Sequence, residues 1–120
     1  MTSLTRAELG ALGEQLGADY LRERGLVVLE RNWRCRFGEL DVVAADISAR
    51  TVVFVEVKTR TSAEWSAPER DIDIEKIQTL RRAARDYIRR ANADESRVRF
   101  DAISITGRRI EHLREAFAPA

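Results

Sequence analysis

Four side chains in two nearby stretches are of the types that hydrolyse phosphodiesters: Glu39 and Asp41 in GELDVVA (38–44), and Glu56 and Lys58 in FVEVKTR (54–60). Both stretches alternate as β-strands do, and a hairpin turn centred between Ser48 and Ala49 puts Asp41 opposite Glu56 and Glu39 opposite Lys58. Three acids and a lysine then share the face that carries Phe54. Opposed carboxylates repel, and on a partly apolar face they also lose hydration, so the arrangement calls for a positive charge. A hard divalent cation supplies one: Mg²⁺ takes oxygen ligands, is commonly held by one or two carboxylates, and keeps waters that can become nucleophiles or give way to phosphate oxygens. Lys58 is placed to orient the attacking water or to stabilise charge developing on phosphorus. The simpler alternative is the charged outer face of an ordinary amphipathic hairpin, with Glu39–Lys58 as a surface ion pair worth about 0.5 kcal/mol. The run Val52-Val53-Phe54-Val55 weighs against it, because a strand apolar on both faces is covered on both sides.

Other elements must hold these strands. Thr5-Arg6-Ala7-Glu8 is a capping-box pattern that opens a helix. Leu9, Leu12, Leu16 and Tyr20 give it an apolar stripe, Gly10, Gly13 and Gly17 permit close backbone packing, and Gly25 stops it. Leu26 to Leu29 reads as a short strand that leads out through the polar Asn32-Trp33-Arg34. After the strand Glu39 to Ala44 and the turn region Asp46 to Arg50 comes the strongest strand, Thr51 to Lys58. Trp65 to Arg70, with Pro68, reads as a loop. A second helix spans about Asp73 to Ala91, its stripe formed by Ile77, Leu80, Ala84, Tyr87, Ile88 and Ala91. Arg97 to Thr106 and Arg109 to Leu113 are strands joined by a turn at Gly107-Arg108. The order is αβββαββ in a single domain, 1–120, with no internal repeat or linker.

With 44% hydrophobic and 34% charged residues, the 120-residue chain suits one packed core. Its longest apolar run, Val52 to Val55, is far too short to span a bilayer, and the N-terminus lacks an apolar signal core. A soluble, cytoplasmic protein with no membrane partner is expected. Cys35 and His112, each the sole residue of its type, are expected in structural or solvent-facing roles. A net charge of +1 leaves any nucleic-acid contact to a local footprint. Arg81, Arg85 and Arg89, flanked by Arg82 and Arg90, form a stripe that can meet DNA phosphates. The same cations also complement a helix C-terminus, and Asp86 interrupts them. Only two of the 21 cations are lysines, Lys58 and Lys76. Lys76 lies near a helix N-terminus, where the dipole disfavours a cation, which predicts a phosphate or Asp73 as its partner. Asp101 is expected to be a structural partner of Arg99.

The segments GEQLGADYL (13–21), ERNWR (30–34), GELDVVA, FVEVKTR, RFDAI (99–103) and EHLREAF (111–117) together carry a resemblance. The chain resembles the YraN-like family of uncharacterised bacterial proteins, within the restriction-endonuclease-like superfamily that shares a PD-(D/E)xK signature. Leu40 stands where that signature has proline. The resemblance implies a three-layer α/β/α restriction-endonuclease-like fold with a mixed central sheet, similar to Holliday-junction resolvases. It also implies Asp41 and Glu56 as ligands of Mg²⁺ (or Mn²⁺), Glu14 as a further ligand, and Lys58 as the residue assisting hydrolysis. Glu39 would pair with Lys58, and the position of Lys76 is usually lysine in the family, which makes these two second-rank site residues. The expected activity is metal-dependent endonucleolytic cleavage of DNA, branched DNA included, and a homodimer would suit symmetric junctions. The alternatives are a non-catalytic nucleic-acid-binding or DNA-processing accessory protein that keeps the nuclease fold, and a protein-interaction domain that does not contact DNA.

Overall fold

The elements follow in the order α1 (Arg6–Glu23), β1 (Val27–Cys35), β2 (Gly38–Asp46), β3 (Thr51–Arg60), α2 (Ile74–Ala91), β4 (Val98–Thr106) and β5 (Arg109–Phe117). These are from a computed structural model that describes residues 4–60, 73–94 and 97–119. The strands form one mixed sheet in the order β1-β2-β3-β4-β5. β3 and β4 run parallel, with α2 in the connection between them, and the other neighbours are antiparallel.

Successive residues of β2 and β3 are buried because each face of the sheet carries a helix. Val43, Phe54 and Phe100 pack against Leu80, Ala83, Ala84, Tyr87 and Ile88 of α2. Val42, Ala44, Val53 and Val55, with Ile103 and Ile105, face the other way and meet Leu21 of α1. Alternation along a strand thus feeds two cores, one on each side of the sheet.

The capping box at Thr5 forms, with the Glu8 N–H donating to Thr5 Oγ1 at 3.1 Å and the Thr5 N–H to Glu8 Oε1 at 3.3 Å. α1 stops at Gly25, whose φ of +89° lies in the left-handed region. The face of α1 that packs differs from the leucine stripe expected from spacing. Leu12 and Leu16 are 47% and 38% exposed, whereas Gly13, Gly17, Ala18 and Leu21 are buried. Backbone proximity explains the choice. A Cβ at position 13 would fall 1.8 Å from Thr59 Oγ1, and one at position 17 would fall 3.2 Å from Val57 Cγ2.

Two strands outrun their sequence signals. β1 continues through Asn32-Trp33-Arg34 to Cys35 and turns tightly into β2, because Trp33 packs edge-on against Tyr87 with ring centroids 5.2 Å apart. β5 reaches Phe117, which stacks on Phe100 at 4.7 Å. The predicted loop Trp65 to Arg70 lies outside the described residues. No described helix is long and apolar enough to cross a membrane.

Candidate active site

β2 and β3 pair from Asp46–Thr51 to Val42–Val55, the register that sets Asp41 against Glu56. Beyond Val55 a side chain takes over: the Val57 N–H donates to Asp41 Oδ2 at 2.9 Å. The Asp41 and Glu56 carboxyls lie within hydrogen-bonding reach of each other, at the end where this ladder stops. Burial, reinforced by the Glu56 charge, pushes Asp41 up to about 7 against the Val57 bond and the Lys76 charge. Burial also raises Glu56, opposed by Lys76.

Lys76 reaches this pair from the first turn of α2. Its Nζ lies 3.1 Å from Glu56 Oε1, whose side chain is 17% exposed. Asp73 takes only the backbone N–H of Lys76, at 2.8 Å, as the N-cap of α2. The ammonium is left to Glu56, and although burial works against its charge, that carboxylate holds its pKa above the usual lysine value.

Glu14 enters from α1. Burial raises its pKa first, and the neighbouring Asp41 and Glu39 charges raise it further. Asn32, with φ +51°, links two of these acids: with its amide nitrogen turned toward them it donates to Glu14 Oε1 at 2.9 Å and to Glu39 Oε1 at 3.0 Å. Sequence reasoning passed over Asn32. Its only local signal is that asparagine tolerates the left-handed backbone, and it sits in a stretch that looked like a way out of the strand.

Glu39 does not pair with Lys58. It stands opposite Arg34 on β1, with Arg34 Nε 3.5 Å from Glu39 Oε2, because the β2–β3 ladder stops before reaching its level. Lys58 is exposed, beside Ser104 of β4, and closes no ion pair among the described residues. It lines an open cavity of about 300 Å³ together with Glu14, Arg6 and Thr59. The site therefore gathers Glu14, Asp41, Glu56 and Lys76, with Glu39 at its margin and Lys58 at the mouth.

The arginine stripe divides. Arg81 Nε and Nη2 donate to the Ala118 carbonyl at 3.0 and 2.8 Å, and its guanidinium lies 5.9 Å from the Phe117 ring, so it holds the C-terminal segment. Arg85 and Arg89 are exposed. Asp101 is buried and clasped by Arg99 at 2.9 and 3.2 Å, the structural partnership expected from sequence.

The donors suit a hard cation. Among the described residues no three carboxylate, imidazole or thiol side chains converge in metal-binding spacing. The central pair, Asp41 and Glu56, offers oxygen donors only, and burial together with the Glu56 charge disfavours the ionised Asp41. Two paired carboxylates match Mg²⁺ or Mn²⁺, which take oxygen ligands, better than Zn²⁺, which favours nitrogen and sulfur.

Fold and site together define an α/β protein with paired, half-buried carboxylates and a lysine where two central strands stop pairing. The chain belongs to the uncharacterised protein family UPF0102, the YraN-like family suggested by its motifs; the family model matches residues 13–105. That span holds Glu14, Asn32, Asp41, Glu56, Lys58 and Lys76 and ends before His112. The chain is similar to UPF0102 proteins of Mycobacterium ulcerans (strain Agy99) and Mycobacterium marinum (strain ATCC BAA-535 / M). Each is 47% identical over 105 residues, covering 88% of this chain and 86% of the relative. A UPF0102 protein of Mycobacterium tuberculosis (strain ATCC 25618 / H37Rv) is 46% identical over 105 residues, covering 88% of this chain and 82% of its own.

Proposed function

We propose that this protein is a metal-dependent endonuclease that hydrolyses phosphodiester bonds in DNA, branched DNA included, on a three-layer restriction-endonuclease-like fold. The observation that carries this reading is the placement of Asp41 and Glu56 side by side where the β2–β3 ladder stops, with the Glu14 charge approaching from one helix and Lys76 from the other. Asp41 and Glu56 would hold Mg²⁺ or Mn²⁺, and Glu14, which stands outside metal-binding spacing of that pair, would add its negative charge from α1 rather than a ligand. A bound divalent cation supplies Lewis-acid charge for phosphate oxygens and lowers the pKa of water beside it. Asn32 fixes the Glu14 carboxylate, and Lys76 balances Glu56. Lys58, at the mouth, meets the incoming phosphate as a point charge and orients the attacking water. Arg85 and Arg89 contact phosphates further along the duplex. Such an enzyme works in the cytoplasm, and a homodimer would address the two symmetric strands of a junction.

The test is cleavage of linear and four-way-junction DNA by purified protein with Mg²⁺ or Mn²⁺. Asp41→Asn and Glu56→Gln are each expected to lower the rate by about 100-fold or more, and cleavage that survives both rejects the assignment. The Lys76–Glu56 ion pair favours a second reading, since it already neutralises one acid without a metal. On that reading the protein is a non-catalytic DNA-binding accessory. Calorimetry would then find DNA binding at low salt but no Mn²⁺ affinity that depends on Asp41.

A further inference from the structure

Toward the other end of β2 and β3, an open cavity of about 770 Å³ lies between the C-terminal end of α1, the β2–β3 turn, β4 and β5. Its floor is rigid. The fully buried carboxylate of Asp101 accepts from Arg99 Nε at 2.9 Å, from His112 Nε2 at 2.8 Å and from the Glu115 N–H at 3.1 Å. The His112 ring thereby turns Nδ1 toward the Tyr20 hydroxyl, 3.2 Å away.

The rim carries exposed positive charge. Arg24 lies over the Tyr20 ring, 4.9 Å from its centroid. Arg24 and Arg114 are exposed, line the cavity, and close no ion pair among the described residues. Asp46, the carboxylate on this lining, is committed to its own turn. It accepts from Ser48 Oγ at 2.9 Å and the Ala49 N–H at 3.2 Å, bonds that hold it below the usual carboxylate range. Arg99 Nη1 lies 3.9 Å from it. Three arginines thus face two carboxylates, one of them buried beneath the floor. The C-terminal dipole of α1 opposes an anion here, but N–H groups of Arg24, Gly25 and Leu26 already satisfy carbonyls of its last turn.

We propose that this cavity binds a phosphate monoester, with Arg24 and Arg114 supplying the charge and Arg99 and His112 a fixed wall behind them. Guanidinium forks match phosphate oxygens in pairs, and the volume lies within the range of small-ligand sites. Ile47, 67% exposed on the lining, offers an apolar surface to the organic part of the ligand. The proposal does not depend on the endonuclease reading.

The test is calorimetry on the intact chain with inorganic phosphate, a nucleoside 5′-monophosphate, and a short DNA strand with and without a 5′-phosphate. Saturable binding of the phosphate-bearing probes is expected, with NMR shifts at the His112 and Tyr20 rings. The double variant Arg24→Gln/Arg114→Gln should bind at least tenfold more weakly. Arg22→Gln, at the same helix end but paired with Asp19, should bind as the wild type does. Failure of the nuclease reading is read separately, from DNA cleavage by the wild type and Asp41→Asn, and leaves the inorganic-phosphate titration unaffected. Tighter binding of the phosphorylated strand than of the mononucleotide assigns the ligand to a strand end, and the reverse order assigns it to a free nucleotide. Absence of binding at millimolar phosphate, or equal losses in Arg22→Gln and the double variant, overturns the proposal.

Discussion

The Asp41 carboxylate stands in for a backbone carbonyl, accepting the Val57 N–H at 2.9 Å where the β2–β3 ladder ends. The bond locks the acid beside Glu56, and burial with that neighbour pushes Asp41 up to about 7. A carboxyl raised in the folded state destabilises the fold once it must ionise. The cost is absent below the unfolded value of 3.8, grows as pH rises, and is fully present above about 7. Asp41→Asn keeps an acceptor for Val57 and removes that charge. Urea unfolding is expected to show the variant more stable than wild type at pH 8, by about 2 kcal/mol, with the two converging near pH 4. A wild type more stable at pH 8 would contradict this electrostatic account.

Lys76 and a divalent cation would draw on the same carboxylate, since Lys76 Nζ lies 3.1 Å from Glu56 Oε1. Removing the ammonium removes a like charge beside the metal. Lys76→Met is therefore expected to tighten Mn²⁺ binding several-fold in calorimetry, while Glu56→Gln abolishes it. Weaker binding in Lys76→Met would show that the lysine organises the site rather than competing for it.

Gly13 is where α1 touches β3 most closely. An alanine Cβ there would meet Thr59 Oγ1 at 1.8 Å and Thr59 Cβ at 2.9 Å. Alanine gains about 1 kcal/mol in helix propensity, but overpacking costs about 1–3 kcal/mol and backbone movement would shift Glu14 on the next residue. Gly13→Ala is expected to lower the melting temperature, and adding Thr59→Gly, which removes both the hydroxyl and the Cβ, should restore part of it. A double-mutant cycle without coupling would place the strain elsewhere.

The β2–β3 register was legible because alternation and one turn fix it, and a slip by one residue would have reversed every side chain. The same reasoning placed Asp41 beside Glu56. It failed for Lys58 and Glu39 because it extended the hairpin past its last rung, and strand parting depends on β1 and β4 as well as on the pair itself. The α1 stripe misled for a different reason. Spacing identifies leucines, but closest approach is set by residues without side chains, and Gly13 and Gly17 occupy the face that the sheet demands. Lys76 was singled out by its position against the helix dipole, yet its partner lies on β3, 20 positions earlier in the chain, beyond any local signal. Asn32 matters only because β1 brings it between Glu14 and Glu39.

Asp101 is the acid on which the β4–β5 corner depends. Burial alone would raise its pKa, but hydrogen bonds from His112, Arg99 and the Glu115 N–H hold it below the usual value of 3.8. A depressed carboxyl contributes stability that is fully present above its unfolded pKa and lost as pH falls through its folded value, so the loss falls below about pH 4. Asp101→Asn leaves Arg99 facing a neutral amide and removes the carboxylate hydrogen-bonded to His112. It is expected to cost about 3 kcal/mol at pH 7, as breaking the buried Arg99–Asp101 ion pair does, and progressively less below pH 4. Chemical unfolding of both proteins at pH 7 and pH 3 checks this, and a deficit that stays constant between the two pH values would show that packing, rather than charge, explains the loss.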